Sequence, residues 1–149
     1  MSKLALGTVQ FGLNYGVANK SGQIKFSVAK DIIQLAKEEK IDLIDTAIAY
    51  GESEKVIGKI GISDFKIVTK LPDIPKKCSN IESWINNQVN NCLKRLQAKS
   101  IYGLLVHHNK NLSGKKGEVI INTLKKLKSR KLIKKLGAKH IYGVEARQD

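Results

Sequence analysis

Short apolar runs alternate with longer amphipathic stretches along the whole of this 149-residue chain. The runs lie at residues 4–8, 41–45, 65–70, 102–107 and 132–138, and most are apolar almost throughout rather than at every second position. Such continuous runs are typical of strands in a parallel sheet that is covered by helices on both faces. The alternation therefore predicts an α/β fold built from repeated strand-helix units.

The amphipathic stretches between the strands carry helix signals. Ser27 is the expected N-cap of a first helix, and Ser53 opens a short second one. Ser79 and Glu82 have the spacing of a capping box for a third helix, and a fourth is expected over residues 118–128. The residues expected to face the sheet recur at helical spacing: Val28, Ile32, Leu35 and Ala36 in the first helix, and Ile81, Ile85, Val89, Leu93 and Leu96 in the third.

Two parallel architectures fit this alternation, a doubly wound sheet and a closed barrel, and both place function at the carboxyl ends of the strands. A doubly wound nucleotide binder should have G-x-G-x-x-G after its first strand, but here the glycines are at positions 7, 12 and 16. Residues 113–117, SGKKG, do not form a P-loop either. The sequence therefore favours the TIM-barrel type of α/β fold.

Three of the predicted strands end on polar residues, namely Asp45, Lys70 and His107. Tyr50 follows in the loop after the second strand. Each has an ordinary structural interpretation when taken alone, such as a turn cap for Asp45 or a packed turn residue for Tyr50. Because strand ends converge at the mouth of a barrel, we expect all four side chains to meet in one proton-transfer site.

The four groups suit the reduction of a carbonyl. A phenol has a pKa near 10 in isolation, and the ammonium of Lys70 is expected to lower that of Tyr50. Asp45 would hold Lys70 through a charge-assisted hydrogen bond, and His107 would orient a substrate carbonyl. His108 is adjacent, and the sequence leaves open which of the two rings faces the pocket.

The same residues resemble the aldo-keto reductase family. Residues 45–51, DTAIAYG, match its D-T-A-x-x-Y-G motif, and the lysine and histidine follow at the third and fourth strands in the family's order. The opening LGTVQFG is also similar to the family's first strand and turn, and residues 131–137, KLIKKLG, resemble the lead into its fifth strand. The resemblance covers nearly the whole chain, and it implies a (β/α)8 barrel, NADPH as cofactor and reversible reduction of an aldehyde or ketone.

By this resemblance Tyr50 is the general acid, Lys70 and Asp45 support it, and His107 orients a small carbonyl substrate. The resemblance also implies that Gly7, Thr8 and Asp45 lie near the nicotinamide and its ribose.

The predicted barrel is incomplete, because a full one needs about 250 residues. We expect residues 1–149 to form one domain, the N-terminal part of a barrel truncated after its fifth strand, and the sequence after Gly137 departs from the family's pattern. The later strands that hold the adenosine phosphate end of NADPH would then be missing. An alternative function follows: an inactive half barrel that associates with itself or with a partner through exposed strand edges.

Composition limits the remaining possibilities. The net charge of +14 invites a nucleic-acid interpretation, but the lysines are scattered, and the densest run, residues 124–136, keeps leucines at helical spacing. Cys78 and Cys92 are too far apart for a redox or metal-binding pair, so we expect reduced thiols and no metal. With no apolar run near the roughly 20 residues of a membrane span and no signal peptide, we expect a cytoplasmic protein that binds neither membranes nor nucleic acid.

Overall fold

A computed structural model describes residues 4–17 and 19–139 of the chain. Five parallel strands form one sheet in the order of the sequence: β1 Leu6–Gly7, β2 Leu43–Asp45, β3 Lys66–Leu71, β4 Ile101–Val106 and β5 Ile133–Ala138. The helices are α1 Val9–Gly12, α2 Phe26–Glu38, α3 Ser53–Ile60, α4 Ile81–Leu96 and α5 Gly114–Ser129, with a 3₁₀ turn at Asn109–Leu112. The predicted parallel α/β architecture is confirmed, since each strand pairs with its neighbour in sequence.

The start and the buried face of α2 differ from the prediction. The helix begins at Phe26, and the extended Lys25 precedes it, so Ser27 lies inside the first turn and is not the N-cap. The buried side chains are Ala29, Ile33 and Ala36. Ala36 is buried as predicted and Ile32 is half-buried, but Val28 is 45% exposed and Leu35 57% exposed. The helical spacing was therefore right, and the centre of the buried face is turned by about one residue. Alanines on the side of α2 that faces the sheet let the helix lie close to it, while the larger side chains of Val28 and Leu35 are exposed.

The predicted capping box of α4 is also wrong by one residue. Asn80 is the N-cap, and its side-chain oxygen accepts a hydrogen bond from the Ser83 backbone N–H at 2.9 Å. Glu82 instead pairs with Lys126 of α5 at 2.8 Å. The apolar face of the helix is as predicted, with its buried members at Ile85, Val89, Leu93 and Leu96.

Several other predicted element boundaries differ from those in the structure. The first strand is shorter than predicted, α1 and the 3₁₀ turn were not expected, and α5 starts at Gly114 rather than near residue 118. Within the dense lysine run, α5 ends at Ser129 and β5 begins at Ile133, and the lysines of this part of α5 are exposed. In the segment where the sequence departs from the family pattern, residues 140–149 lie outside the described residues.

The hydrophobic core lies between the helices and one face of the sheet. Ile44, Ile67 and Leu104 are buried there in one cluster with residues of α2 to α5. The opposite face, which we call the inner face, carries Leu43, Val68 and Leu105, which are only half-buried. Asp45 and Lys70 follow on the inner face at the same two-residue spacing, so the strand pleat itself points them to one side of the sheet.

Candidate active site

Asp45 and Lys70 form an ion pair at the carboxyl ends of β2 and β3. The Lys70 Nζ donates to both carboxylate oxygens of Asp45, at 2.7 and 2.8 Å, and to the Thr46 carbonyl at 2.9 Å. The Lys70 side chain is 5% exposed and that of Asp45 39% exposed. All three N–H groups of the ammonium are therefore used, while part of the carboxylate stays accessible.

Tyr50 lies beside this pair, on the turn between β2 and α3. The Lys70 Nζ is 5.3 Å from the centre of the tyrosine ring. The pKa of Tyr50 is nonetheless raised above 10.0, first by desolvation and then by the negative charge of Asp45. The expected lowering by Lys70 is not found, because Asp45 neutralises the ammonium and takes two of its three hydrogen bonds.

His107 is the imidazole that faces Tyr50. The two ring centres are 6.5 Å apart in an edge-to-face arrangement. His108 stacks on His107 at 5.0 Å, but its Nδ1 lies 2.8 Å from an Asp73 carboxylate oxygen, which draws it away from the tyrosine. The pKa of His107 is lowered below 6.5 by desolvation and by the charge of Lys139, so its ring is neutral at neutral pH.

The turn that carries Tyr50 is held by very close backbone packing. A Cβ on Gly12 would lie 1.8 Å from the Tyr50 carbonyl oxygen, and one on Gly51 would lie 2.5 Å from the Gly12 carbonyl oxygen. Gly51 also has a φ of +54°, which favours glycine. These two glycines allow α1 to pack directly on the turn and fix the position of the tyrosine.

A buried hydroxyl network ties β1 to β2 and α3. The Thr8 hydroxyl donates to the Asp45 carbonyl at 3.0 Å, and the Ser53 hydroxyl donates to the Thr8 carbonyl at 2.9 Å. Thr8 is therefore buried, with its hydroxyl directed into the protein. Gly7 differs, since it is exposed and a Cβ there would meet nothing within 4 Å.

Glu54, which is only 1% exposed, was not predicted from the sequence. Its carboxylate accepts hydrogen bonds from Thr69 Oγ1 at 2.7 Å, Cys92 Sγ at 3.2 Å and Arg95 Nε at 2.9 Å. The cluster joins α3, β3 and α4 behind the site. Its one sequence signal is Thr69, a hydroxyl on the core-facing side of a strand, which requires a buried partner.

Both cysteines are free thiols, as predicted; Cys92 is buried and Cys78 is half-buried. Among the described residues, none of the helices combines the length and the apolarity that crossing a bilayer requires.

Five parallel strands in sequential order, with a helix after each of the first four, match the TIM-barrel class of α/β proteins. The sequence profile of the Aldo/keto reductase family matches residues 3–144. The chain belongs to the aldo/keto reductase family.

Solved structures agree with this assignment. PA4992 from Pseudomonas aeruginosa, a protein classed with the aldo-keto reductases, is 33% identical with a TM-score of 0.73, over 93% of this chain and 55% of that one. The glycerol dehydrogenase AKR11B4 from Gluconobacter oxydans is 25% identical with a TM-score of 0.71, over 95% of this chain and 45% of that one.

An aldo-keto reductase from Klebsiella pneumoniae, solved in complex with NADPH, shares the fold at 18% identity and a TM-score of 0.67, over 92% of this chain and 45% of that one. The chain thus spans about half the length of the solved structures that it matches. Among curated proteins, none matches its sequence closely enough to count as a relative.

Proposed function

We propose that this chain carries the catalytic site of an NADPH-dependent oxidoreductase that reduces an aldehyde or ketone, with Tyr50 as the general acid. Membership of the aldo/keto reductase family supports an oxidoreductase. The grouping of Tyr50 and His107 around the buried Lys70 and its partner Asp45 supports carbonyl reduction with Tyr50 as the acid.

The protonation states suit reduction. Because the pKa of Tyr50 is raised, its O–H is intact at neutral pH and can donate to a carbonyl oxygen. His107 is neutral, so it carries one ring N–H that can orient the same oxygen. As the proton leaves Tyr50, the Lys70 ammonium, 5.3 Å from the ring centre, offsets part of the repulsion between the Asp45 carboxylate and the phenolate that forms.

The residues around the mouth fit a nicotinamide cofactor. Gly7 leaves open space at the end of β1, and the exposed part of Asp45 can accept a hydrogen bond from a sugar hydroxyl. Thr8 positions Asp45 through its backbone instead of offering its own hydroxyl. When bound, the cofactor supplies the hydride for reduction of a small carbonyl substrate. NADPH is the form proposed, since the Klebsiella relative was solved with it.

Replacing Tyr50 with Phe tests the assignment, because it removes the acidic proton and keeps the ring. We expect NADPH oxidation by a panel of aldehydes to slow by about 10²- to 10⁴-fold in kcat. Tyr102→Phe is the matched control, since it removes a phenolic hydroxyl at the amino end of β4, the end of the strand away from Tyr50, and it should leave kcat unchanged. Full turnover in Tyr50→Phe would show that the acid is another group. A folded wild-type chain without turnover would contradict the proposed activity itself.

A second candidate function is an inactive half barrel that associates through its open surfaces. It is favoured by the half-buried inner-face residues Leu43, Val68 and Leu105. Within the described residues, β1 pairs only with β2 and β5 only with β4, so each has a free edge that can accept another strand.

A further inference from the structure

A second cavity lies at the opposite end of the sheet from Tyr50. It has a volume of about 560 Å³ and lies at the amino ends of β3, β4 and β5. Its polar lining comes mainly from Lys66, Gln97, Lys99, Ser100, Tyr102 and Lys134. Nothing in the proposed reductase site uses these residues.

Three lysines surround one aromatic ring beside this cavity. The Nζ atoms of Lys66 and Lys134 are each 5.8 Å from the centre of the Tyr102 ring, and that of Lys135 is 5.5 Å from it. Lys66 belongs to the strand on one side of Tyr102, and the other two belong to the strand on its other side. The parallel register therefore gathers the three ammonium groups around a single point.

The cations outnumber the anions at this place. Lys66 is paired with Asp42 at 2.5 Å. In the part of the chain that the structure describes, no carboxylate lies within ion-pair distance of Lys99, Lys134 or Lys135, and no acidic residue lines the cavity. This side of the molecule therefore carries an excess of positive charge, and an anion bound beside it would offset that charge.

We propose that this cavity, which we call the lower cavity, binds a small anion that carries two or more phosphate groups. Lysine ammonium groups bind phosphate oxygens as strongly hydrated point charges, and the several cations here match an anion with several charges. Ser100 and Gln97 add hydrogen-bond donors at the rim, and the Tyr102 ring forms an apolar wall. The cavity is open to solvent on one side, and the ends of several helices and strands line it. This shape fits a compact ligand better than an extended strand of nucleic acid, which needs a groove along its backbone.

Inorganic pyrophosphate is the probe for the test, by calorimetric titration of the whole chain at about 0.15 M salt. The double variant Lys134→Gln/Lys135→Gln removes two of the three cations around Tyr102. Loss of their charge-assisted hydrogen bonds should weaken pyrophosphate binding by about tenfold or more. The matched control Lys30→Gln/Lys125→Gln removes two exposed charges elsewhere, and its affinity should change by less than about twofold at this salt concentration. An equal loss in both variants would mean diffuse attraction to a basic surface and would overturn the proposal.

The pyrophosphate site can also be mapped on the wild-type chain, so the test does not depend on whether the variants fold. Pyrophosphate should shift the amide NMR signals of residues 97–102 and 133–135. Shifts confined to the residues around Tyr50, or an oligonucleotide that binds the same residues more tightly than pyrophosphate, would overturn the proposal. The Tyr50→Phe variant should bind pyrophosphate normally, so failure of the reductase assignment and failure of this one are distinguishable.

Discussion

At the scale of single residues, Gly12 is needed for the close packing of α1 on the Tyr50 turn, although its spacing fits no nucleotide-binding glycine motif. The space that a methyl group would need at this position is occupied by the Tyr50 carbonyl oxygen, 1.8 Å from the ideal Cβ. Gly12→Ala must therefore displace α1 or the tyrosine turn. We expect a loss of about 1–3 kcal/mol in the free energy of unfolding, measured in urea, because overpacking has costs of this size.

Gly7→Ala is the matched control for that substitution, since a Cβ on Gly7 meets nothing within 4 Å. It should leave the free energy of unfolding unchanged and weaken NADPH binding instead. Equal stabilities of the two alanine variants would contradict the close packing of α1 on the turn.

The imidazole of His107 gives the protein a dependence on pH. Its pKa in the folded state is below the ordinary 6.5, so the unfolded chain takes up the proton first as the pH falls. Stability is therefore fully present above about pH 6.5 and decreases as the pH falls through this value toward the lower folded pKa. Urea unfolding at several pH values should show this decrease in the wild type and a smaller one in His107→Gln. If the free energy of unfolding fell equally steeply with pH in His107→Gln, a group other than His107 would cause the dependence.

At the scale of secondary-structure elements, the ion pair between Glu54 and Arg95 joins α3 to α4. The Glu54 side chain is 1% exposed and that of Arg95 31% exposed, so Arg95→Met leaves a buried carboxylate without its cation. We expect a loss of about 3–5 kcal/mol in the free energy of unfolding. Lys37→Met is the matched control, because its partner Asp64 is more than half exposed and such surface pairs contribute little. If both variants lost a similar free energy of unfolding, the buried Glu54 carboxylate would not need the Arg95 cation for its stability.

Features that follow from the strand order can be predicted from the sequence more reliably than helix ends. Asp45, Lys70 and His107 could be predicted as neighbours because parallel strands bring their carboxyl ends to one edge of the sheet, whatever the details of packing. The N-caps of α2 and α4 and the buried face of α2 were wrong by about one residue. Several polar residues near a helix start can serve as caps, and the final choice depends on tertiary contacts.

The electrostatics of the site could not be predicted from residue types. The raised pKa of Tyr50 follows from burial and from the way Asp45 occupies the Lys70 ammonium, and both require distances. Glu54 was missed for a similar reason. Its partners Thr69, Cys92 and Arg95 lie on two other elements and have no recognisable spacing in the sequence.

At the scale of the whole molecule, self-association remains a prediction, and charge should control it. The half-buried inner face and the strand edges that no described residue covers favour contact between copies. However, β5 carries the exposed Lys134 and Lys135, and the chain has a net charge of +14. We expect sedimentation to show a monomer at low salt and association near 1 M salt, where the screening length falls to about 3 Å. A sedimentation coefficient that does not change with salt would contradict this expectation.

The sequential strand order also has a consequence for how the chain folds during synthesis. Because every strand pairs with the strand before it, each pairing needs only segments that have already been made, although parallel pairing across an intervening helix is slower than local contact formation. As the chain leaves the ribosome, β3 can dock on β2 and bring Lys70 to Asp45 before β4 has emerged. His107 joins when β4 pairs with β3, and β5 adds none of the four proposed catalytic side chains. We therefore expect the proposed catalytic group to assemble in the order in which its members leave the ribosome.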